Sequence, residues 1–183
     1  RQPKNKVFLR IRLPFKKEPL FLKADIRWLD SKKLKKTELE ALEHLIKEEA
    51  LAYAVKEVDH EKIDEINILN ASYLAMHLCV KELQPMPELL LIDGNRFKPF
   101  EGIPHECIIK GDGKYMSIAA ASILAKTHRD RVMSQLAQQY PGYGWETNAG
   151  YPTLKHREAI RKLGVAPVHR KSFRLLPEQM ELF

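Results

Sequence analysis

The stretch that decides the fold is Lys110-Gly-Asp-Gly-Lys-Tyr-Met-Ser-Ile-Ala-Ala-Ala-Ser-Ile-Leu-Ala-Lys126. It opens with a glycine-rich turn that holds one acid, Asp112, and continues as a run of residues that suit a helix. The small side chains from Ala119 to Ser122 would let that helix pack closely against a sheet. An acid in a turn before a helix is ordinarily a turn or capping residue, so Asp112 alone indicates little.

A short apolar run lies upstream of this stretch and ends at a second acid. Leu89 to Ile92 precede Asp93-Gly-Asn95, which is typical of a buried strand followed by a turn. In an open α/β sheet, ligands bind at the carboxyl ends of the strands. The alternative for Asp93 is an Asp-Gly turn without a further role, which is common.

The rest of the chain predicts strands interleaved with helices, and therefore an α/β fold with a sheet flanked by helices. Thr37 and Glu40 have capping-box spacing, and Asp59 can cap a long helix that Pro85 ends. Thr153 can cap a last helix that ends at Gly164. The other predicted elements are a hairpin within 9–28, strands at 51–57 and 105–109, a helix over 116–136 and a loop over 140–149.

The net charge of +7 resides in the first 27 residues, which carry nine basic and two acidic side chains. The remainder has 22 of each sign, so overall charge does not by itself predict nucleic-acid binding. No apolar run is long enough for a membrane helix. Cys79 and Cys107 lack metal-ligand spacing and are predicted to be buried free thiols, which suits a reducing cytoplasm.

Three runs together resemble ribonuclease HII, the type 2 ribonuclease H. They are Leu89 to Asn95, Lys110 to Lys126 and Gly150-Tyr-Pro-Thr153, and the resemblance extends from about Leu29 to about Leu175. It implies a ribonuclease H-like mixed sheet flanked by helices, with a helical C-terminal part. The function it implies is endonucleolytic hydrolysis of RNA in RNA–DNA hybrids and at ribonucleotides embedded in duplex DNA, leaving 3′-hydroxyl and 5′-phosphate ends.

The resemblance also implies the catalytic residues. Asp93 and Asp112 match two of the family's four carboxylates, which hold two Mn²⁺ or Mg²⁺ ions. Such hard cations prefer oxygen ligands, and a pair of them ~4 Å apart activates water and stabilises the leaving oxygen. The family's other two carboxylates come from an Asp-Glu-x-Gly-Arg-Gly motif that occurs nowhere in this sequence. The alternative is therefore an inactive, truncated or frameshifted family member that at most binds hybrids.

Substrate-binding residues follow from the same resemblance. Tyr151 matches a tyrosine that stacks on the sugar at the RNA–DNA junction and helps to read the 2′-hydroxyl. Phosphate contacts are expected from a set of basic side chains: Lys32, Lys110, Lys126 and Arg170. The alternative for Tyr151 is a turn residue, and for each basic side chain a solvated surface charge.

Three other residues receive lesser roles. Asp130 is expected to pair with the neighbouring Arg129 or Arg131, and not to bind metal. His156 is interpreted as a helix-surface residue and His169 as a neighbour of phosphate.

The chain is predicted to comprise an atypical basic segment (1–27), a ribonuclease HII-like domain (28–175) and a C-terminal tail (176–183). The segment 1–27 is interpreted as unrelated sequence joined to the domain, for example by a frameshift. The protein is expected to be a cytoplasmic monomer. It is expected to bind an RNA–DNA hybrid or ribonucleotide-containing duplex DNA, and not a membrane.

Overall fold

The computed structural model describes residues 34–176. Two helices precede a pair of strands, and the remaining helices follow. The elements are α1 (Lys36–Glu49), α2 (His60–Glu82), β1 (Leu90–Asp93), β2 (His105–Ile108), a 3₁₀ turn (Gly111–Gly113), α3 (Met116–Gln139), α4 (Trp145–Asn148) and α5 (Leu154–Leu163). No helix within 34–176 is long and apolar enough to cross a membrane.

The two strands of the described region form a parallel sheet. Leu90 pairs with His105 and Asp93 with Ile108. Leu90 and Ile92 are buried whereas Leu91 and Asp93 are half-buried, so one face of β1 forms core. The combination of this sheet with the helices confirms the predicted α/β fold with a helical C-terminal part.

Helix α3 is the central packing element. The alanines at positions 119, 120 and 121 are all at most 3% exposed, as the small-residue run predicted. Ile123 and Leu124 on the same helix are fully buried against Leu39 and Ile46 of α1. Because small side chains let backbones approach closely, α3 contacts α1, β1 and α4 together.

A second core lies in the C-terminal part. Tyr143, Trp145 and Ile160 are buried together with Ala166 and Leu176. Residues from the end of α3 pack against this group, so α4 and α5 are fixed to the helix that also carries the glycine-rich turn.

Two predicted helix starts are confirmed and one is wrong. Asp59 accepts a hydrogen bond from the backbone N–H of Lys62 at 2.7 Å, and Thr153 accepts one from that of His156 at 3.2 Å. At α1 the Thr37 box does not form. The helix begins two residues earlier than predicted, with Lys35 as its N-cap, so Glu38 reaches back to the backbone N–H of Lys35 at 2.7 Å.

Helix α2 is not continuous, contrary to the prediction. Asn67 has φ 66° and ψ 163°, which breaks the helix into two parts. Its side-chain oxygen accepts from the N–H groups of Leu69 and Asn70, and the Asn70 amide donates to the carbonyl of Ile66. These bonds cap both helix ends at the break.

Other predictions also fail. Residues 51–57 are irregular, because no described segment pairs with them to form a ladder. The predicted loop 140–149 contains α4. Cys79 is buried, as predicted. Cys107 was also predicted to be buried but is exposed, because no residue of β2 is fully buried. The predicted 9–28 hairpin lies outside the described residues.

Candidate active site

Asp93 lies where a catalytic acid was predicted, at the carboxyl end of β1. The ladder continues past it, since the N–H of Gly94 donates to the carbonyl of Ile108 at 2.9 Å. Because β1 and β2 are parallel, the chain leaving β2 emerges beside Asp93. That chain is the glycine-rich turn.

A hydrogen bond fixes the turn to Asp93. The backbone N–H of Gly111 donates to Oδ1 of Asp93 at 3.0 Å. Asp112 is the next residue and is half-buried. The bond therefore holds the backbone beside Asp112 against Asp93, although the two acids are 19 positions apart in sequence.

Local backbone geometry shapes the turn. Lys110 adopts a left-handed conformation with φ 55°, and the carbonyl of Gly111 accepts from the N–H of Tyr115 at 2.8 Å. A β-carbon at Gly111 would lie 2.5 Å from Cδ1 of Ile118. Only glycine fits without displacing Ile118, because values below 3.0 Å require something to move.

The described residues alone do not fit a pair of metal ions. Within 34–176, no group of three or more His, Cys, Asp or Glu side chains is arranged to hold a metal. Asp93 and Asp112 could supply oxygen ligands of the kind that Mn²⁺ and Mg²⁺ prefer. Two carboxylates are half of the set that the resemblance implies.

Tyr151 presents an exposed ring on a fixed backbone. The side chain is 44% exposed. The Arg129 guanidinium lies over the ring, 4.9 Å from its centre, and donates to the carbonyl of Ala149 at 2.7 Å. The N–H of Tyr151 donates to the carbonyl of Asn148 at 2.8 Å. One face of the ring is thus supported by protein.

Of the predicted phosphate contacts, three lie in the described region. Lys110 is exposed on the turn, and Lys126 is half-buried on α3. Arg170 stacks on Phe173 at 3.8 Å from the ring centre. Burial lowers the pKa of Arg170, and Arg129 nearby lowers it further while Asp64 opposes this. Lys32 lies outside the described residues.

Arg129 was missed as a site residue because sequence spacing assigned it to Asp130. That pairing is wrong, since Arg129 bonds to Ala149 and Arg131 forms an ion pair with Glu43 of α1. Both arginines bond to partners that are distant in sequence. The proximity of Arg129 to Tyr151 depends on how α3 packs against the loop after α4.

The surface position expected for His156 is wrong, because its side chain is 5% exposed. His169 is also buried, at 7% exposed. Burial lowers the pKa of each ring. The indole N–H of Trp145 donates to Nε2 of His156 at 3.0 Å. The same Nε2 lies 3.3 Å from Nε2 of His169.

The chain is similar in sequence to one family of known proteins. The family model described as Ribonuclease HII matches residues 13–176, so the match begins inside the segment 1–27. The chain is 57% identical over 153 residues to Ribonuclease HII of Christiangramia forsetii, covering 84% of this chain and 77% of that protein. It is 58% identical over 153 residues to Ribonuclease HII of Parabacteroides distasonis, with the same coverage.

Two solved structures share the fold. Ribonuclease H2 from Pyrococcus horikoshii superposes with a TM-score of 0.71 at 24% identity, covering 86% of this chain and 82% of that one. The chain from the PCNA:RNase HII complex of Archaeoglobus fulgidus gives 0.66 at 24% identity, covering 86% and 84%.

Proposed function

The chain belongs to the ribonuclease HII family, a family of endoribonucleases, and from this we propose a specific reaction for it. It hydrolyses the RNA strand of RNA–DNA hybrids and cuts at single ribonucleotides embedded in duplex DNA. The products carry 3′-hydroxyl and 5′-phosphate ends.

The observation that supports this most is the bond from the Gly111 N–H to Asp93. It holds the backbone next to Asp112 against Asp93 at the carboxyl end of a parallel strand, where ligands of α/β sheets bind. The family depends on a divalent metal, and we propose Mn²⁺ or Mg²⁺ because the available donors are carboxylate oxygens.

Cleavage requires more acids than the described residues provide. Residues 1–33 contain Glu18, Asp25 and Asp30, and the proposal needs at least one acid from that part of the chain. Without a further carboxylate, two acids would bind divalent cations weakly.

Substrate recognition is proposed for the surface around Tyr151. Its exposed ring can stack on a sugar beside the 2′-hydroxyl, the group that distinguishes RNA from DNA. Arg129 and Arg170 lie close enough to affect each other electrostatically, and such paired guanidinium groups suit a phosphate backbone. Lys32, Lys110 and Lys126 are proposed as further phosphate contacts.

The test is a comparison of three labelled duplexes of one sequence, with Mn²⁺ or with Mg²⁺. One is all DNA, one has a single ribonucleotide and one has a full RNA strand. Cutting restricted to the two RNA-containing duplexes is expected, and the product ends are identified by ligation and phosphatase treatment. Equal cutting of the all-DNA duplex would contradict the proposal.

A second function, hybrid binding without cleavage, is favoured by one observation. The sequence lacks Asp-Glu-x-Gly-Arg-Gly. Two of the four metal-binding carboxylates that the resemblance implies are therefore missing. The Gly-Arg-Gly backbone that would read the 2′-hydroxyl together with Tyr151 is missing as well. Binding of the ribonucleotide duplex in EDTA, together with no cutting in Mn²⁺, would support this function over the first.

We also propose that the protein acts as a cytoplasmic monomer. Sedimentation of the purified chain with and without duplex measures the oligomeric state. A dimer in the absence of duplex would contradict this part of the proposal.

A further inference from the structure

A buried cluster of aromatic side chains lies directly behind Tyr151. It contains Trp145 of α4, His156 of α5 and His169 of the C-terminal loop, and the ring of Tyr143 stacks on Trp145 with centres 4.9 Å apart. The three side chains other than Tyr143 are joined by hydrogen bonds at 3.0 and 3.3 Å. Neither the basic side chains proposed as phosphate contacts nor the acids Asp93 and Asp112 belong to this cluster.

The hydrogen bonds fix the position of the His156 ring proton. Trp145 can only donate, so Nε2 of His156 accepts its indole N–H at 3.0 Å. Nε2 of His169 lies 3.3 Å from the same atom. Nδ1 of His169 lies 3.0 Å from the backbone nitrogen and 3.2 Å from the carbonyl oxygen of Ala166.

With Nε2 as an acceptor, the proton of neutral His156 is on Nδ1. Nδ1 lies 3.0 Å from the carbonyl oxygen of Tyr151 and donates to it. The same carbonyl accepts from the N–H of Thr153 at 2.8 Å, and the Thr153 hydroxyl accepts from the N–H of His156. The Tyr151 carbonyl is thus bonded to the start of α5 at two points, and a third bond joins those two partners to each other.

We infer that His156 is a positioning residue for Tyr151, whose carbonyl it holds so that the exposed ring faces the ribonucleotide sugar. The inference rests on the substrate role proposed for Tyr151. The Tyr151 carbonyl itself holds the ring proton on Nδ1, so this bond does not require the contacts that Trp145 and His169 make at Nε2.

Burial keeps this arrangement neutral. It lowers the pKa of His156 and of His169, with His156 and Arg170 lowering that of His169 further. The titratable and charged groups that face the pair are Tyr143 from the loop before α4, whose ring centre is 6.4 Å from that of His156, and Arg170 beside His169. A proton on Nε2 of His156 would confront the Trp145 indole N–H.

Two substitutions at one position separate the two halves of the ring. The Asn side-chain nitrogen is as many bonds from Cα as Nδ1 of His, and the Gln nitrogen as many as Nε2. His156→Asn therefore keeps a donor for the Tyr151 carbonyl and loses the acceptor for Trp145. His156→Gln keeps a polar group facing Trp145 and loses the donor to Tyr151. Trp145→Phe removes the indole donor without touching Nδ1 and serves as a matched control.

The first measurement follows the tyrosine ring in the full chain without nucleic acid. Carbon-labelled tyrosine resonances are recorded, with Tyr151→Phe assigning Tyr151. The Tyr151 signals are expected to move in His156→Gln and to stay near their wild-type positions in His156→Asn and Trp145→Phe. Unchanged signals in a folded His156→Gln protein would overturn the inference, whatever the protein does with RNA.

The second measurement is the preference for a duplex with one ribonucleotide over the same duplex in DNA, from dissociation constants in EDTA. Folding is checked by melting curves, and binding is measured below each melting range. Loss of one positioning hydrogen bond is expected to reduce the preference about tenfold in His156→Gln, as in Tyr151→Ala. His156→Asn and Trp145→Phe should retain it.

The outcomes separate this inference from the function on which it rests. If the wild type shows no preference, or Tyr151→Ala retains it, the substrate role of Tyr151 fails and the ring resonances alone decide the positioning. If Tyr151→Ala loses the preference but His156→Gln keeps it, the function stands and the positioning role is overturned.

Discussion

Gly111 is the residue on which the arrangement of Asp93 and Asp112 depends. Its N–H bonds to Asp93, and a β-carbon there would lie 2.5 Å from Cδ1 of Ile118, which is buried. The space that a β-carbon would need is occupied by the end of the Ile118 side chain, so any larger residue at position 111 requires that buried side chain to move.

Gly111→Ala is therefore expected to destabilise the protein by about 1–3 kcal/mol, as overpacking typically does, and to separate Asp93 from the turn. Gly113→Ala is the matched control, because a β-carbon at Gly113 meets nothing within 4 Å. Urea unfolding measures both. Equal losses in the two variants would contradict the role given to Gly111.

The buried histidines predict a pH dependence of stability. Burial lowers the pKa of His156 and of His169 below 6.5, so on acidification the unfolded chain takes up protons first. The free energy of unfolding should fall as pH drops below about 6.5 and level off below the folded-state pKa values. This loss adds to that from carboxylates at lower pH.

Urea unfolding between pH 7.5 and 5 measures this slope. The chain has seven histidines, so the comparison that matters is between the wild type and His156→Gln, which has one fewer buried imidazole. A smaller slope is expected in the variant. Equal slopes would mean that His156 contributes nothing to the pH dependence.

At the scale of elements, the break in α2 carries a local conformational cost. Asn67 occupies a backbone region that non-glycine residues rarely adopt, and its side chain offsets this by accepting two N–H groups of the following helix. Asn70 bonds back to Ile66. The kink is thus maintained by two amide side chains.

Asn67→Ala removes the cap and leaves the strain unchanged, so it should lower the free energy of unfolding by about 1–2 kcal/mol. Asn67→Asp keeps an acceptor oxygen and should lose less than about 1 kcal/mol. Urea unfolding distinguishes the two. If both variants lose the same amount, the side-chain caps do not stabilise the break.

Elements specified by local chemistry were predictable from sequence. Asp59 and Thr153 cap their helices as expected, since the donor is three residues away. The position of Asp93 at the end of a buried strand was also predictable, because a short apolar run precedes it. Residues 51–57 were not, since a strand requires a partner that local alternation does not reveal.

The missed site residues share a physical reason. Arg129 and His156 act through contacts with Tyr151 that depend on how α3, α4 and α5 pack, which spacing along one helix does not encode. For His156 a signal was present in the sequence, since it lies three residues after the capping Thr153 on a face shared with Ile160. Because residues four positions apart lie on one face of a helix, this spacing predicts that His156 lies on the buried face of α5.

For the whole molecule, the question is how residues 1–33 complete the site. The described part supplies two carboxylates, and the family model matches from residue 13 onward. The charge also divides here, with the entire net +7 in residues 1–27. The proposed metal binding and the proposed long-range attraction to nucleic acid therefore both rely on this part of the chain.

Replacing residues 1–27 with a family segment that carries Asp-Glu-x-Gly-Arg-Gly should raise the rate of cleavage at a single ribonucleotide. Recovery of ~2.7 kcal/mol of transition-state stabilisation would correspond to about 100-fold. Single-turnover cleavage with Mn²⁺ measures this. A folded chimera that cuts no faster than the original chain would count against Asp93 and Asp112 as the other half of the site.

The most direct measurement compares this chain with Asp93→Asn on duplex DNA containing one ribonucleotide, with Mn²⁺ and with EDTA. Cutting at the ribonucleotide is expected in the original chain with Mn²⁺ alone, and its rate should fall at least about 100-fold in Asp93→Asn, or ~2.7 kcal/mol. Binding of the same duplex without cutting, or cutting that Asp93→Asn leaves unchanged, would contradict an endonuclease site built on Asp93 and Asp112.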